Sequence, residues 1–147
     1  MTLNGPVSSG DLVVFYGLLK QGASGMPAHI DLDKAGVFLG PCRFRGALCD
    51  VGGFPGVVDG DGLCHGVRYR LDNADLIAPL DEFEDVLPDD LEASLYVRKR
   101  VDLLSDNGKS TGEQAWIYWY NQPITAFPRL ADDNWPLERG RARKTGT

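Results

Sequence analysis

Glu84 is a carboxylate at a position where the sequence pattern predicts an apolar side chain. A helix is predicted to begin near Asp72 and Asn73, since both residues are good N-caps. At about 100° per residue, Glu84 falls between Leu80 and Ile77, on the apolar side of this helix. A carboxylate in such a place is partly desolvated, which suits it to proton transfer near neutral pH. Glu84 is therefore a candidate general acid or base.

Two structural roles would explain Glu84 as well. It could form an ion pair with Arg98 or Arg100, or it could bend outward from the helix end into water. Pro79 predicts that the helix restarts there, because an interior proline removes a hydrogen bond and kinks the chain. The other acidic residues of the helix are expected on its solvated face: Asp75, Asp81, Glu82 and Asp85.

A second candidate site lies where the first predicted strand ends. Residues 12–16 are continuously apolar, as in a strand that is buried on both faces. Gly17 follows Tyr16 directly, and a glycine there lets the backbone turn and present N–H groups to an anion such as a carboxylate. The alternative is an ordinary turn in which Leu18 and Leu19 fill the core.

A glycine-rich loop and one tyrosine could complete a pocket. The loop contains Gly53, Phe54 and Pro55, and its aromatic ring could form a pocket wall. Tight turning without a ligand explains this loop equally well. The aromatic residues 116–120 predict core packing, although Tyr118 could direct its hydroxyl into a cavity.

Cysteine chemistry is less well supported by the pattern. Cys64 and His65 are adjacent in a predicted strand and point to opposite faces, which excludes them as a nucleophile and base pair with each other. A cysteine hydrolase using Cys49 or Cys64 would need a thiolate, which we do not expect. The three cysteines show no zinc spacing, and their odd number favours free thiols in a reducing compartment.

The elements expected around these candidates define an α+β domain. Period-two alternation predicts strands within residues 43–49, 67–71 and 97–103, each with one solvated face. Asp106, Asn107 and Gly108 form a hairpin signal before the aromatic strand. Residues 21–27 are expected to form a loop and residues 29–34 a short helical turn. Together they predict a strongly curved or closed, mostly antiparallel sheet.

Length and charge narrow the class of protein. The 147 residues, 43% of them hydrophobic, fit a single domain. The sequence lacks a long apolar stretch and a signal-peptide pattern, which predicts a cytoplasmic protein without a membrane partner.

The formal charge is −6, and four cations after Glu138 leave −10 on the residues before them, which argues against a nucleic-acid partner. We expect a flexible N-terminus over residues 1–10, a domain over 11–137 and a basic, disordered tail over 138–147.

A set of short motifs resembles the gamma-glutamylcyclotransferase family, which includes gamma-glutamylamine cyclotransferases. The order and spacing of these motifs match the family from about Leu12 to Asn121. No single motif is specific, but the ordered set is. The motifs lie at residues 13–20, 38–40, 53–58, 65–67, 80–84, 96–98 and 115–118.

The resemblance implies a small mixed, mostly antiparallel β-barrel flanked by one or two helices, with a cavity beside the first strand. It implies that Glu84, the last residue of a Leu-Asp-x-x-Glu pattern, is the catalytic acid and base. The implied reaction converts a small gamma-glutamyl amide, dipeptide or isopeptide into 5-oxoproline and a free amine, without a cofactor or metal. The implied substrate-binding residues are Tyr16, Gly17, Leu18, Leu19, Gly53, Phe54, Pro55, Tyr96 and Tyr118.

One position departs from the family pattern. The family commonly has Thr or Ser after the Tyr-Gly pair, whereas this chain has Leu18, which keeps the backbone donor but not the hydroxyl. A non-catalytic domain of the same fold, binding a small ligand or a protein, is the alternative to an enzyme. Our expectation for the assembly is a monomer or a weak homodimer.

Overall fold

Five β-strands form a closed barrel in the computed structural model, which describes residues 5–16, 32–51, 55–87 and 89–123. Around the barrel, the strands follow the order β1, β3, β2, β4, β5. The predicted α+β fold with a mostly antiparallel barrel is confirmed. The strands are β1 (Leu12–Phe15), β2 (Gly36–Asp50), β3 (Pro55–Leu71), β4 (Tyr96–Leu104) and β5 (Ser110–Tyr120).

The helices of the described residues are short. They are α1 (Leu32–Ala35), a 3₁₀ turn (Ala74–Leu76) and α2 (Ile77–Phe83). Helix α1 overlaps the short helical turn predicted from the sequence, whereas the predicted loop at residues 21–27 lies outside the described residues. Within the part of the chain that the structure describes, no helix has the length and apolar character needed to cross a membrane.

Strand β5 closes the barrel by pairing in parallel with β1, where Val13 lies opposite Trp116. The other neighbouring strands are antiparallel. The long strands β2 and β3 bend at two register shifts, one between Phe38 and Gly40 and one between Gly46 and Ala47. Such bulges increase local twist and let a sheet of so few strands curve onto itself.

Two apolar clusters lie on opposite faces of the sheet. The interior cluster draws on all five strands, while the outer cluster joins the barrel to α1 and α2. Strand β1 contributes Val14 to the interior and Val13 to the outer cluster, so the prediction that it is buried on both faces is confirmed. The interior residues are Val14, Tyr16, Phe44, Leu48, Val57, Cys64, Leu103, Ala115 and Ile117.

The outer cluster corrects the expectation that each later strand has one solvated face. Cys49 and Arg98 were expected on that face, yet both are buried, with 3% and 5% of their surfaces exposed. Leu80 from α2 is fully buried in the same cluster as Cys49. The prediction is confirmed at the exposed Arg45, Arg70 and Arg100 and was wrong at Cys49 and Arg98, because the alternation of one strand does not reveal which helix covers its polar side.

Candidate functional site

The start of the segment that carries Asp81 and Glu84 is set by Asn73. Its side-chain oxygen accepts a hydrogen bond from the Asp75 N–H at 3.0 Å, which caps the 3₁₀ turn. The α-helix proper begins at Ile77, so Pro79 lies in the first turn, where a missing N–H is tolerated. The predicted N-cap is confirmed, and the change from 3₁₀ to α geometry explains how the chain accommodates Pro79.

The end of α2 is a Schellman motif that fixes the position of Glu84. The Val86 N–H donates to the Asp81 carbonyl at 2.9 Å, and the Asp85 N–H donates to the Glu82 carbonyl at 3.1 Å. Asp85 has the left-handed φ of 56° that this motif requires. Glu84 is therefore the C-cap, and its own N–H donates to the Leu80 carbonyl at 3.0 Å.

Glu84 is half-buried at this C-cap, between the buried Leu80 and the exposed Asp85. This placement agrees with the helical wheel, on which Glu84 lies beside the apolar arc. An ion pair of Glu84 with Arg98 or Arg100 stays a prediction, and both arginines have contacts to other carboxylates. Arg98 pairs with Asp81 at 2.8 Å, and Arg100 lies 3.9 Å from Asp11.

Asp81 is held against the barrel by three hydrogen bonds. At Oδ1 it accepts hydrogen bonds from Arg98 Nε at 2.8 Å and from the Tyr118 hydroxyl at 2.6 Å. At Oδ2 it accepts a third, from Arg98 Nη2 at 3.2 Å. The expectation that Asp81 lies on a solvated face was wrong, because β4 and β5 bring Arg98 and Tyr118 against that side of the helix.

Arg98 is the buried cation that makes this arrangement possible. Its third nitrogen, Nη1, donates to the Gly5 carbonyl at 2.8 Å, and its guanidinium lies 5.3 Å from the centre of the Trp116 ring. The planar guanidinium is therefore held by a carboxylate, a carbonyl and an aromatic face at once. A buried charge needs such partners because its desolvation is costly.

Tyr118 is a buried donor that contacts Asp81 through its hydroxyl and Tyr16 through its main chain. Burial raises the pKa of Tyr118 well above its usual value, and the neighbouring Asp81 and the charge of Glu84 raise it further. The hydroxyl therefore stays protonated and donates to Asp81. The Tyr16 hydroxyl in turn donates to the Tyr118 carbonyl at 2.5 Å. The structure thus brings Tyr118, Asp81 and Glu84 together on the outer face of the sheet, while the Tyr16 side chain packs in the interior cluster and contacts the Tyr118 main chain.

Tyr96 and Pro55 form a second pair of predicted residues. The buried Tyr96 hydroxyl donates to the Pro55 carbonyl, and its ring packs against Tyr120 with 5.5 Å between ring centres. This contact ties the start of β3 to the start of β4. The remaining predicted substrate-binding residues, Gly17, Leu18, Leu19, Gly53 and Phe54, lie outside the described residues, so their roles stay predictions.

The cysteines take structural positions. All three are free thiols, with Cys49 and Cys64 buried and Cys42 half-buried. Burial raises the pKa of Cys42 to about 12, which leaves almost no thiolate at neutral pH. Among the described residues, no cluster of histidine, cysteine or acidic side chains is arranged to hold a metal ion.

A groove of about 450 Å³ lies apart from Glu84, where β4 passes β2 and β3. Its half-buried cation, Lys99, belongs to the face of β4 opposite to Arg98. The Lys99 ammonium lies 3.5 Å from the centre of the Trp119 ring and 3.8 Å from an Asp59 oxygen. These contacts account for Lys99 structurally, and the groove contains none of the predicted site residues.

The barrel and the sequence of the chain agree with one family. The sequence profile described as gamma-glutamyl cyclotransferase, AIG2-like, matches residues 13–137, and the chain belongs to this family. A relative in Citrobacter rodentium, the gamma-glutamylcyclotransferase family protein ytfP, is 31% identical over 88 residues. That match covers 60% of this chain and 65% of the relative, slightly less than two thirds of its length.

Solved structures share the fold. The solution structure of ytfP from Escherichia coli is 28% identical, with a TM-score of 0.56 over 84% of this chain and 95% of that protein. A structure of a gamma-glutamyl cyclotransferase is similar with a TM-score of 0.50 at 16% identity, over 82% of this chain and 69% of that one. At this low identity the likeness shows the fold alone.

Proposed function

We propose that this protein is a cyclotransferase that converts a small gamma-glutamyl amide, dipeptide or isopeptide into 5-oxoproline and a free amine. The observation that carries the proposal is the half-buried Glu84, held at a Schellman C-cap in a chain that belongs to the gamma-glutamyl cyclotransferase family. Family membership supports the reaction class, and the surroundings of the two α2 carboxylates support the choice of Glu84 over Asp81.

The proposed reaction takes place within one substrate molecule. Glu84 removes a proton from the α-ammonium group, and the free amine attacks the γ-carbonyl carbon to form the ring C–N bond. The bond from that carbon to the leaving nitrogen then breaks as Glu84 returns the first proton to that nitrogen. The ring nitrogen loses its second proton to become the amide N–H, and the departing amine takes up this proton and leaves as an ammonium ion. Atoms and charges balance without an oxidant, a metal or a second substrate.

Much of the catalysis would come from geometry. Nucleophile and electrophile share one flexible chain, so the protein gains by holding that chain curled for ring closure. We assign this binding to Tyr16, Tyr96 and Pro55, and to the backbone donors of residues 17–19 that the sequence predicts, whereas the Tyr118 hydroxyl, also predicted to bind substrate, donates to Asp81. The proposed binding partner is a small gamma-glutamyl substrate. We also propose that the protein is cytoplasmic and that it acts as a monomer or weak homodimer.

The proposal is tested by measuring 5-oxoproline released from a panel of gamma-glutamyl amines, gamma-glutamyl amino acids and gamma-glutamyl-ε-lysine. We expect turnover of at least one member, and the best substrate would identify the leaving amine. Folded protein that releases no 5-oxoproline from any member, yet is stabilised against heat by one of them, would indicate a binding domain instead.

A further inference from the structure

We propose that Asp81, Arg98 and Tyr118 form a clamp that holds the end of α2 on the barrel and thereby positions Glu84. This inference rests on the proposed function, because it assigns the clamp a part in the same reaction. The three residues are positioning residues: they act on the substrate through Glu84.

The clamp joins three elements through one carboxylate. Arg98 on β4 donates to both oxygens of Asp81, and Tyr118 on the neighbouring strand β5 donates to one of them. Arg98 and Tyr118 lie directly opposite each other in the β4–β5 register, so the barrel presents their side chains together. A bidentate, charge-assisted contact of this kind defines orientation as well as distance.

Asp81 also supplies a main-chain contact to the segment that contains Glu84. Its carbonyl accepts the Val86 N–H of the Schellman motif, so one residue is fixed by its side chain to the barrel and by its backbone to the helix end. Glu84 lies three residues further along, within the same turn. Releasing the Asp81 side chain would therefore remove the contact that orients this turn on β4 and β5, while the Asp85 carbonyl would still accept the Leu95 N–H at 3.1 Å.

The same contacts argue against Asp81 as the proton-transfer group. Its two oxygens already accept three hydrogen bonds, two of them from a guanidinium that cannot give up its proton. The third hydrogen bond to Asp81 comes from the Tyr118 hydroxyl. Asp81 therefore has a role in geometry, and the proton transfer stays with Glu84 as the proposed function assigns it.

The test is a double-mutant cycle of Asp81→Asn and Tyr118→Phe, with kcat and KM measured for the best panel substrate. Asp81→Asn keeps the shape but turns one accepting oxygen into a donor that faces other donors. Each single variant should lower kcat by about 10- to 100-fold with KM changed less than about twofold, since small misplacements of a catalytic group are costly. Because both act through one clamp, the double variant should lose no more than the worse single variant.

The matched control is Glu82→Gln, which neutralises an exposed carboxylate next to Asp81 and should leave both constants unchanged. If the kcat losses of the cycle multiply, or if Tyr118→Phe raises KM and leaves kcat intact, the clamp is contradicted and Tyr118 is a substrate-binding residue. Tyr118→Phe removes a single hydroxyl, so its kcat and KM still test the clamp if Asp81→Asn does not fold.

A second measurement separates the clamp from the proposed reaction. If the wild-type protein releases no 5-oxoproline, the proposed function fails, and hydrogen exchange then tests the clamp alone. The amide protons of Glu84 and Val86 should exchange faster in Tyr118→Phe than in the wild-type protein. The exchange rates of the amide protons in the barrel strands should stay unchanged. Equal exchange rates at these two amides would overturn the clamp.

Discussion

Asp81 and Glu84 lie one helical turn apart at the end of α2, and their surroundings differ. Asp81 accepts three hydrogen bonds from β4 and β5, while Glu84 lies half-buried at the C-cap. Two carboxylates with different neighbours can take different roles, one in holding the helix and one in moving a proton. The two hydrogen bonds from the Arg98 guanidinium to Asp81 assign the holding role to Asp81.

Cys42 gives a residue-scale prediction about alkaline pH. Burial raises its pKa from 9.0 to about 12, so between these values the folded thiol keeps a proton that the unfolded chain has lost. The free energy of unfolding must then fall as pH rises through this range. Between pH 9 and pH 10, urea unfolding should show the wild-type protein losing about 1 kcal/mol relative to Cys42→Ala. Parallel pH curves for the two proteins would contradict the burial of this thiol.

At the residue scale, the sequence predicts the half-buried position of Glu84 on its helix. It does not predict the contacts of the neighbouring Asp81. The helical wheel singles out Glu84 because its position depends only on the spacing within one helix. Asp81 could not be found in that way, since its partners Arg98 and Tyr118 come from two strands later in the chain. The motif from Leu80 to Glu84 contains Asp81, so it marks the right segment. The burial of Arg98 on β4 would have identified the partner of Asp81, but the alternation of β4 did not predict that burial.

At the scale of elements, the C-terminal end of α2 depends on the left-handed backbone of Asp85. Glycine is favoured at this position of a Schellman motif, whereas a β-branched residue is strained there. Asp85→Val should therefore be less stable than Asp85→Gly by about 1–2 kcal/mol in urea unfolding. Both variants lack the carboxylate, so the difference isolates the backbone. Equal stabilities would show that the motif does not constrain residue 85.

The strands and the hairpin turn were predictable because each is a local pattern. The β1 run, the Asp106-Asn107-Gly108 turn and the Asn73 cap all follow from short-range geometry and are found where expected. The parallel pairing of β1 with β5 was not predictable in the same way, since it joins residues about a hundred positions apart. The outer apolar cluster also depends on tertiary packing, which explains why Cys49 and Arg98 were wrongly expected on solvated faces.

At the scale of the whole molecule, the family match ends at residue 137 and the basic residues follow it. The proposed chemistry uses no residue beyond that point. A protein that ends at Leu137 should therefore keep kcat and KM within about twofold of the full chain, because the clamp and Glu84 are untouched. Steady-state kinetics on the two proteins checks this, and loss of turnover in the shorter one would assign the tail a part in the reaction.

The most direct test of the account is the rate of 5-oxoproline release by Glu84→Gln at saturating substrate, compared with Glu82→Gln. The glutamine keeps the size of the side chain but cannot accept the proton, so we predict a loss of about 100-fold or more. Glu82→Gln, which makes the same change two residues away on the exposed side, should keep the wild-type rate. A Glu84→Gln protein that retains wild-type turnover would show that another group moves the proton and would contradict the central claim.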